Sequence, residues 1–412
     1  MKYGLIGRKL SHSFSKEIHS MIASYDYELC EIEPNDLESF ITKKDFCAIN
    51  VTIPYKNAVI PFLDNVSSTA MELGSVNTIV NKNGVLYGYN TDYLGMKEMI
   101  IRSKISLAGK KVLILGTGAT SRTSSLVAKN LGASEILLVS RTKKENCITY
   151  QEAYKNHTNA QIIINATPIG MFPNSYSSPI NISKFNLLEG VFDAVYNPIR
   201  TSMVLDALES KIYGESGLYM LVSQAIHASM LFSGENIPLE KIEDVYKVIL
   251  TQKENIVLAG MPSCGKTTVG KILASNFNRE FVDLDDEIEK HLGCTIAQFF
   301  ENHSESEFRE IESEITEKVS KRCNIIISTG GGCVMKPQNV RALRSNGRIY
   351  FIDRSIENLI PTDSRPLARR KDDIEKLYNK RYEIYKNVCD AHINGNFDPN
   401  EVANLIGEEF YR

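Results

Sequence analysis

Val112-Leu-Ile-Leu-Gly116-Thr-Gly118-Ala119-Thr-Ser121 and Ile256-Val-Leu-Ala-Gly260-Met-Pro-Ser-Cys264-Gly265-Lys266-Thr267-Thr268 are the stretches whose reading decides the fold. Each is an apolar run that enters a glycine-rich turn and leaves it as a helical stretch, the strand, loop and helix order of parallel α/β sheets. The two turns differ in design. A Gly-x-Gly turn brings backbone close to a dinucleotide pyrophosphate at a helix N-terminus, whereas Gly-x-x-x-x-Gly-Lys-Thr wraps backbone N–H groups around triphosphate oxygens and adds a lysine. A chain carrying both is expected to run two reactions.

Length and composition bound the rest. A chain of 412 residues is too long for one core of ordinary size and predicts two or three domains. Apolar content of 43% and charged content of 24% fit a folded globular protein. The net charge of −3 gives no general attraction for nucleic acid or anionic lipid, so neither is expected as a partner and anion recognition must come from placed arginines and lysines. No apolar run approaches a membrane span, and Met1-Lys-Tyr-Gly-Leu-Ile-Gly7 reads as a strand rather than a leader, so a cytoplasmic protein is expected. The eight cysteines are scattered without C-x-x-C or zinc spacing and read as reduced thiols.

Three regions follow from the patterning. Residues 1–100 mix short strands (Tyr3 to Ile6, Cys47 to Ile53, Thr78 to Val80, Val85 to Tyr89) with helical stretches, and Asn83-Gly84 predicts a hairpin turn. Residues 101–224 alternate apolar runs at Val112, Glu135, Gln161 and Val191 with helices, predicting a Rossmann-like parallel sheet, and helices over about 225–250 are expected to close the first region. The polar stretch Thr251-Gln-Lys-Glu-Asn255 predicts a tight linker, and residues 253–412 suffice for one P-loop α/β domain.

In the second region the strand after the Gly-x-Gly turn ends in Ser140-Arg141-Thr142. An acidic residue there would hold a ribose 2′-hydroxyl, whereas Arg141 with Lys143 beside it suits a 2′-phosphate, so NADP(H) is expected over NAD. The first region carries Ser11, Ser13, Asn50, Thr52, Lys56, Asn77 and Asn90-Thr-Asp92 near its turns. Singly these are caps or solvated groups. Together with Asn165-Ala-Thr167-Pro-Ile-Gly170, Asp193-Ala-Val-Tyr196-Asn-Pro198 and Gly217-Leu-Tyr-Met-Leu-Val-Ser-Gln224, they resemble shikimate dehydrogenase over residues 1 to about 245. The resemblance implies Lys56 and Asp92 as the catalytic pair and Ser11 and Ser13 on the substrate carboxylate. It sets Asn50, Thr52, Asn77, Tyr196 and Gln224 around the ring, Gly116, Gly118, Ala119, Arg141 and Thr142 on the dinucleotide, and Asn165 and Thr167 at its nicotinamide end. Members of that family commonly have Gly-Ala-Gly-Gly-Ala, so Thr117, Ala119 and Thr120 predict altered affinity rather than lost binding.

The second turn matches the P-loop pattern in full, with Gly260, Cys264, Gly265, Lys266, Thr267 and Thr268 expected on ATP and the Thr267 hydroxyl in a Mg²⁺ shell. The acceptor is named by other residues. Phe281-Val-Asp283-Leu-Asp285, Glu307-Phe-Arg309, Ser328-Thr-Gly-Gly331-Gly332, Arg365-Pro-Leu and Lys380-Arg381 resemble shikimate kinase over residues 254 to about 395. That resemblance implies Asp283 near Mg²⁺, Asp285 as catalytic acceptor of substrate hydrogen bonds, Arg309 and Arg381 on the carboxylate, Gly331 and Gly332 presenting backbone, and Arg365 in a lid over ATP. Cys264 and Cys333 would put thiols near the nucleotide, at most as alkylation handles.

The two resemblances name consecutive steps, reduction of 3-dehydroshikimate to shikimate and its phosphorylation, with a homodimer as the self-association to expect. Two alternatives stay open at this point. One is a quinate/shikimate dehydrogenase joined to a different small-molecule kinase, and the other a nucleotide-sensing regulatory protein with degenerate sites.

Overall fold

The computed structural model of the chain describes residues 1–10, 13–359 and 371–412, so Ser11 and Arg365 lie outside the described residues. The chain forms two compact units, Met1–Asn197 with Thr201–Ile249, and Pro198–Arg200 with Leu250–Arg412. No helix among the described residues is long and apolar enough to cross a membrane.

The first unit holds two six-stranded sheets. The first runs Tyr27–Glu31, Tyr3–Gly7, Ala48–Val51, Thr78–Lys82, Val85–Tyr89 and Asn65–Val66 in spatial order. It is mixed, because Asn83 and Gly84, both at positive φ (54° and 86°), close a two-residue hairpin that sets Lys82 opposite Val85. The second sheet is parallel throughout, in the order Tyr213–Glu215, Gly190–Asp193, Ile162–Asn165, Lys111–Leu115, Glu135–Ser140 and Cys147–Thr149. Its inner strands are buried nearly end to end, which is why they read as continuous apolar runs.

The helix Asp92–Arg102 packs along the long helix Leu218–Ser233, which explains why the C-terminal segment closes on the first region. Gly95 permits the approach, since a Cβ there would stand 2.6 Å from the Met220 carbonyl oxygen. Arg102 ends the first helix and bonds Glu215 and Glu243, each at 2.9 Å, tying in the helix Glu240–Lys253 as well.

The second unit is a five-stranded parallel sheet in the order Glu280–Asp283, Ile325–Ser328, Asn255–Ala259, Gly347–Asp353 and Ala391–Asn394. The P-loop strand Asn255–Ala259 is central and wholly buried. The expected linker at Thr251 to Asn255 takes a different form. The helix Glu240–Lys253 runs through it, and Glu254 alone separates helix from strand. Thr251-Gln-Lys contains no Gly or Pro to stop a helix, and Glu254 N–H still donates to the Leu250 carbonyl at 2.8 Å.

Candidate functional site

The first site is built where the strand Ala48–Val51 ends and the helix Asp92–Arg102 begins. Lys56 Nζ lies 2.6 Å from Asp92 Oδ2, with both side chains less than one-fifth exposed (18% and 17%). The Lys56 carbonyl accepts from Val76 N–H at 2.8 Å, which fixes the lysine's turn, and Asp92 stands at a helix start, where the dipole favours a carboxylate. Around the pair runs a network of short amides. Asn77 Oδ1 accepts from Thr91 N–H at 2.7 Å, while its Nδ2 donates to Thr91 Oγ1 at 3.0 Å and Gln224 Oε1 at 3.5 Å. Asn50 Nδ2 donates to the Asn77 carbonyl and to Thr78 Oγ1, at 3.2 and 3.1 Å.

Asn50, Asn77 and Gln224 thus come together, and the network extends to residues the sequence reading did not assign. Tyr27 OH donates to Asn50 Oδ1 at 2.7 Å, and the His19 ring stacks on Tyr27 at 3.9 Å. Burial drives the His19 pKa down to about 3, so this ring is a neutral wall. Phe14 packs edge-on against Tyr196 at 5.3 Å, and Ser13 Oγ lies 3.1 Å from Ser15 Oγ. Thr52 is half-buried at the same strand end. Neither residue belongs to a motif the sequence reading used: His19 sits on the helix Ser15–Ile22, beyond the Ser13 turn, and Tyr27 on the neighbouring strand.

The dinucleotide turn follows the strand Lys111–Leu115. Gly116 has φ +108°, and a Cβ on it would meet Thr167 Cγ2 at 3.0 Å and Ser121 Oγ at 3.1 Å. Only glycine fits that cradle. Gly118 caps the helix Ala119–Asn130, and the Ser121 hydroxyl in its first turn is buried without a partner among the described residues. A helix start with a glycine cradle and an unanswered hydroxyl fits a pyrophosphate. Arg141 and Thr142 are exposed at the end of the neighbouring strand, and Lys144 Nζ reaches Thr117 Oγ1 at 3.2 Å.

Asn165 departs from expectation. It is fully buried, and its amide is spent inside the protein on Asp193 Oδ1 (2.9 Å) and the Ile169 carbonyl (3.2 Å), while its Oδ1 accepts from the Thr167 N–H and hydroxyl. It shapes the loop, and Thr167 beside it is half-buried, with its hydroxyl accepting from Ile169 N–H at 3.2 Å and its methyl against Gly116. Burial pushes the Asp193 carboxyl up to about 7 despite three donors around it.

In the second unit Gly260, Ser263 and Gly265 all have positive φ (150°, 65° and 101°), which curls the loop around its own N–H groups. Lys266 is buried, with Nζ donating to the Gly260 and Met261 carbonyls at 2.9 Å each. Thr267 Oγ1 donates to Asp283 Oδ2 at 2.9 Å, so a hydroxyl and a carboxylate meet beneath the loop. That donor set fits Mg²⁺, which takes one or two protein oxygens beside phosphate and water. Thr268 is exposed one residue on.

The acceptor end gathers on Gly330 to Gly332. A Cβ on Gly330 would stand 2.6 Å from Asp285 Oδ1, and one on Gly332 would stand 2.4 Å from both terminal nitrogens of Arg309. Arg381 donates to the Gly331 carbonyl at 2.9 Å, and Tyr385 OH donates to the same oxygen. Asp285, Arg309 and Arg381, far apart in sequence, therefore surround one backbone turn. Glu312 supports Arg309 at 2.8 Å from a nearly sealed position, where burial raises its pKa.

Cys264 and Cys333 are buried, and burial pushes the Cys333 thiol far up, so neither is an alkylation handle. A cavity of about 370 Å³ opens at the ends of Gly347–Asp353 and Ala391–Asn394, lined by Asp353, Ser355, Tyr378, His392, Asn394 and Asn396. It lies at the carboxyl end of the sheet that carries the P-loop, where parallel α/β sheets take ligands. The sequence reading missed it because its lining comes from two strands and a helix. A larger cavity of about 600 Å³, lined by Tyr154, Ile180 and Asp206 among others, includes none of the expected site residues.

Residues 262–410 match the shikimate kinase family, and residues 5–79 match the shikimate dehydrogenase substrate binding domain. A shikimate dehydrogenase (NADP(+)) of Clostridium perfringens is 34% identical over 264 residues, covering 60% of this chain and 97% of that protein. A shikimate kinase of Caldicellulosiruptor bescii is 44% identical over 157 residues, covering 36% of this chain and 91% of that protein. Among solved structures, shikimate dehydrogenase 1 of Peptoclostridium difficile is similar with a TM-score of 0.56 and 33% identity, over 60% of this chain and 98% of that one.

Proposed function

The chain belongs to two families in tandem, shikimate dehydrogenase and then shikimate kinase, and is a bifunctional shikimate-pathway enzyme; from this premise we propose what its residues do. The first unit reduces 3-dehydroshikimate to shikimate with NADPH, and the second phosphorylates shikimate with ATP. The observation that carries the pairing is that two sites of different design, each built from its own residues, serve one acid: the product of the first is the acceptor of the second.

In the reduction, Lys56 gives a proton to the substrate carbonyl oxygen as the carbon is reduced, and Asp92 at 2.6 Å orients the ammonium and balances its charge. The reduced nicotinamide supplies the hydride when bound. Asn50, Asn77 and Gln224 answer the ring hydroxyls, and Ser11 and Ser13 take the carboxylate. Arg141 answers the 2′-phosphate of the dinucleotide, while Gly116 to Ser121 take its pyrophosphate.

In the phosphorylation, Arg309 and Arg381 grip the shikimate carboxylate by charge-assisted bonds, and Asp285 accepts the hydrogen bond of the attacking hydroxyl. The loop amides and Lys266 hold the phosphates. Thr267 and Asp283 would hold Mg²⁺, which neutralises charge on the phosphate oxygens. The cavity beside Asp353 takes the nucleoside.

Purified protein given 3-dehydroshikimate, NADPH, ATP and Mg²⁺ tests both halves. Expected are NADPH oxidation and ADP formation, the second also on shikimate alone. Absence of both from folded protein refutes the reading.

A further inference from the structure

Arg354 directly follows the strand Gly347–Asp353, the sheet neighbour of the P-loop strand Asn255–Ala259. Its Nε is buried without a partner, and its guanidinium makes no hydrogen bond or ion pair among the described residues. The side chain is only half-buried, but a guanidinium Nε–H shut from water with nothing to answer it is costly unless a ligand engages the fork. The adjoining carboxylate does not, because Asp353 Oδ2 is taken by His392 Nε2 at 2.8 Å and Tyr382 OH at 3.1 Å.

The arginine has a direction. Its NH1 stands 4.0 Å from the point a Cβ on Gly265 would occupy, and Gly265 is the left-handed residue just before Lys266. Its fork therefore reaches the P-loop turn from the side of Gly347–Asp353, whereas Asp283 and Thr267 meet on the side of Glu280–Asp283. On its other flank lies the cavity that Asp353 and Ser355 help to line. Arg354 thus stands between the loop that takes phosphates and the cavity that would take the nucleoside, away from Asp285 and Gly331.

We propose that Arg354 is a nucleotide ligand that binds the phosphates retained by ADP. The inference rests on reading the second unit as an ATP-dependent kinase. The test is calorimetric titration of the intact chain with ADP, adenosine and shikimate for wild type, Arg354→Ala and Arg354→Gln. Loss of a fork-shaped ionic contact is expected to weaken ADP about 10- to 100-fold in both variants, with adenosine and shikimate affinities unchanged. ADP affinity within twofold of wild type overturns the proposal. So does an equal loss for adenosine, which would assign Arg354 to the nucleoside, or a fall in kcat with ADP affinity unchanged, which would assign it to the transferred phosphate. Should Arg354→Ala misfold, seen as loss of the second unit's cooperative melting transition, Arg354→Gln, of similar length, decides alone. Failure of the kinase reading looks different, since wild type would then form no ADP with shikimate.

Discussion

Lys56 and Asp92 are 36 residues apart in the chain and 2.6 Å apart in space, close enough that each holds the other's orientation. Replacing Lys56 with Ala should lower dehydrogenase turnover by about 10²- to 10⁴-fold, the usual worth of a positioned proton donor, measured as shikimate-dependent NADP reduction. Arg141→Ala should raise KM for NADPH about 10- to 100-fold and leave KM for NADH unchanged, because only the former carries a 2′-phosphate. Asp193 makes a pH prediction. Burial raises its carboxyl to about 7 in the fold, above the ordinary unfolded value of about 4, so the folded state binds the extra proton between them. Its contribution to stability is full below about pH 4 and is lost as pH rises through about 7; melting curves of Asp193→Asn should lack that decline. Of these residues Lys56, Asp92 and Arg141 were singled out in the sequence, since each sits in a motif, and the fold brings the first two together. Asn165 was misread because a polar residue at a strand end looks alike from either side, and only its three internal partners show that it faces inward.

Elements carry these residues, and their junctions have tests of their own. Gly95→Ala would push Asp92–Arg102 off Leu218–Ser233, since the added carbon meets Met220 O at 2.6 Å and Gln224 Cβ at 3.1 Å. Such overpacking should destabilise the fold by about 1 to 3 kcal/mol and, by shifting Asp92 against Gln224, depress dehydrogenase kcat while kinase activity persists. The helix Glu305–Ser320, which carries Arg309 and Glu312, starts in a capping box between Ser304 and Glu307. Ser304→Ala should cost about 1 kcal/mol, lower the melting temperature of the second unit by about 2 to 4 °C and raise KM for shikimate. Strands were the most legible elements, because buried parallel strands are apolar throughout. Helix starts were less so. The helices after both glycine turns begin inside the motifs themselves, at Ala119 and Lys266, and first-turn N–H groups free for phosphate leave no mark in hydrophobic periodicity that would place those starts.

At the scale of the whole molecule the two units keep separate residues for separate chemistry. Lys56→Ala should spare shikimate-dependent ADP formation, and Lys266→Ala should abolish it while sparing NADP reduction; loss of both activities from either change would contradict separable sites. The sequence by itself determined that there are two nucleotide folds and which nucleotide each prefers, because glycine turns, a lysine and an arginine at fixed offsets carry that chemistry locally. The shared acid came only from the resemblance of scattered motifs to two families. Tertiary structure decided what depends on distant segments meeting. It brought Tyr27 and His19 behind Asn50, gathered Asp285, Arg309 and Arg381 on Gly330 to Gly332, carried the helix Glu240–Lys253 through the expected linker, and left Arg354 Nε near Gly265 without a partner among the described residues. The reason is physical: a motif fixes the backbone of a few neighbouring residues, whereas burial and the answering of polar groups are set by whatever the packed sheets place opposite them.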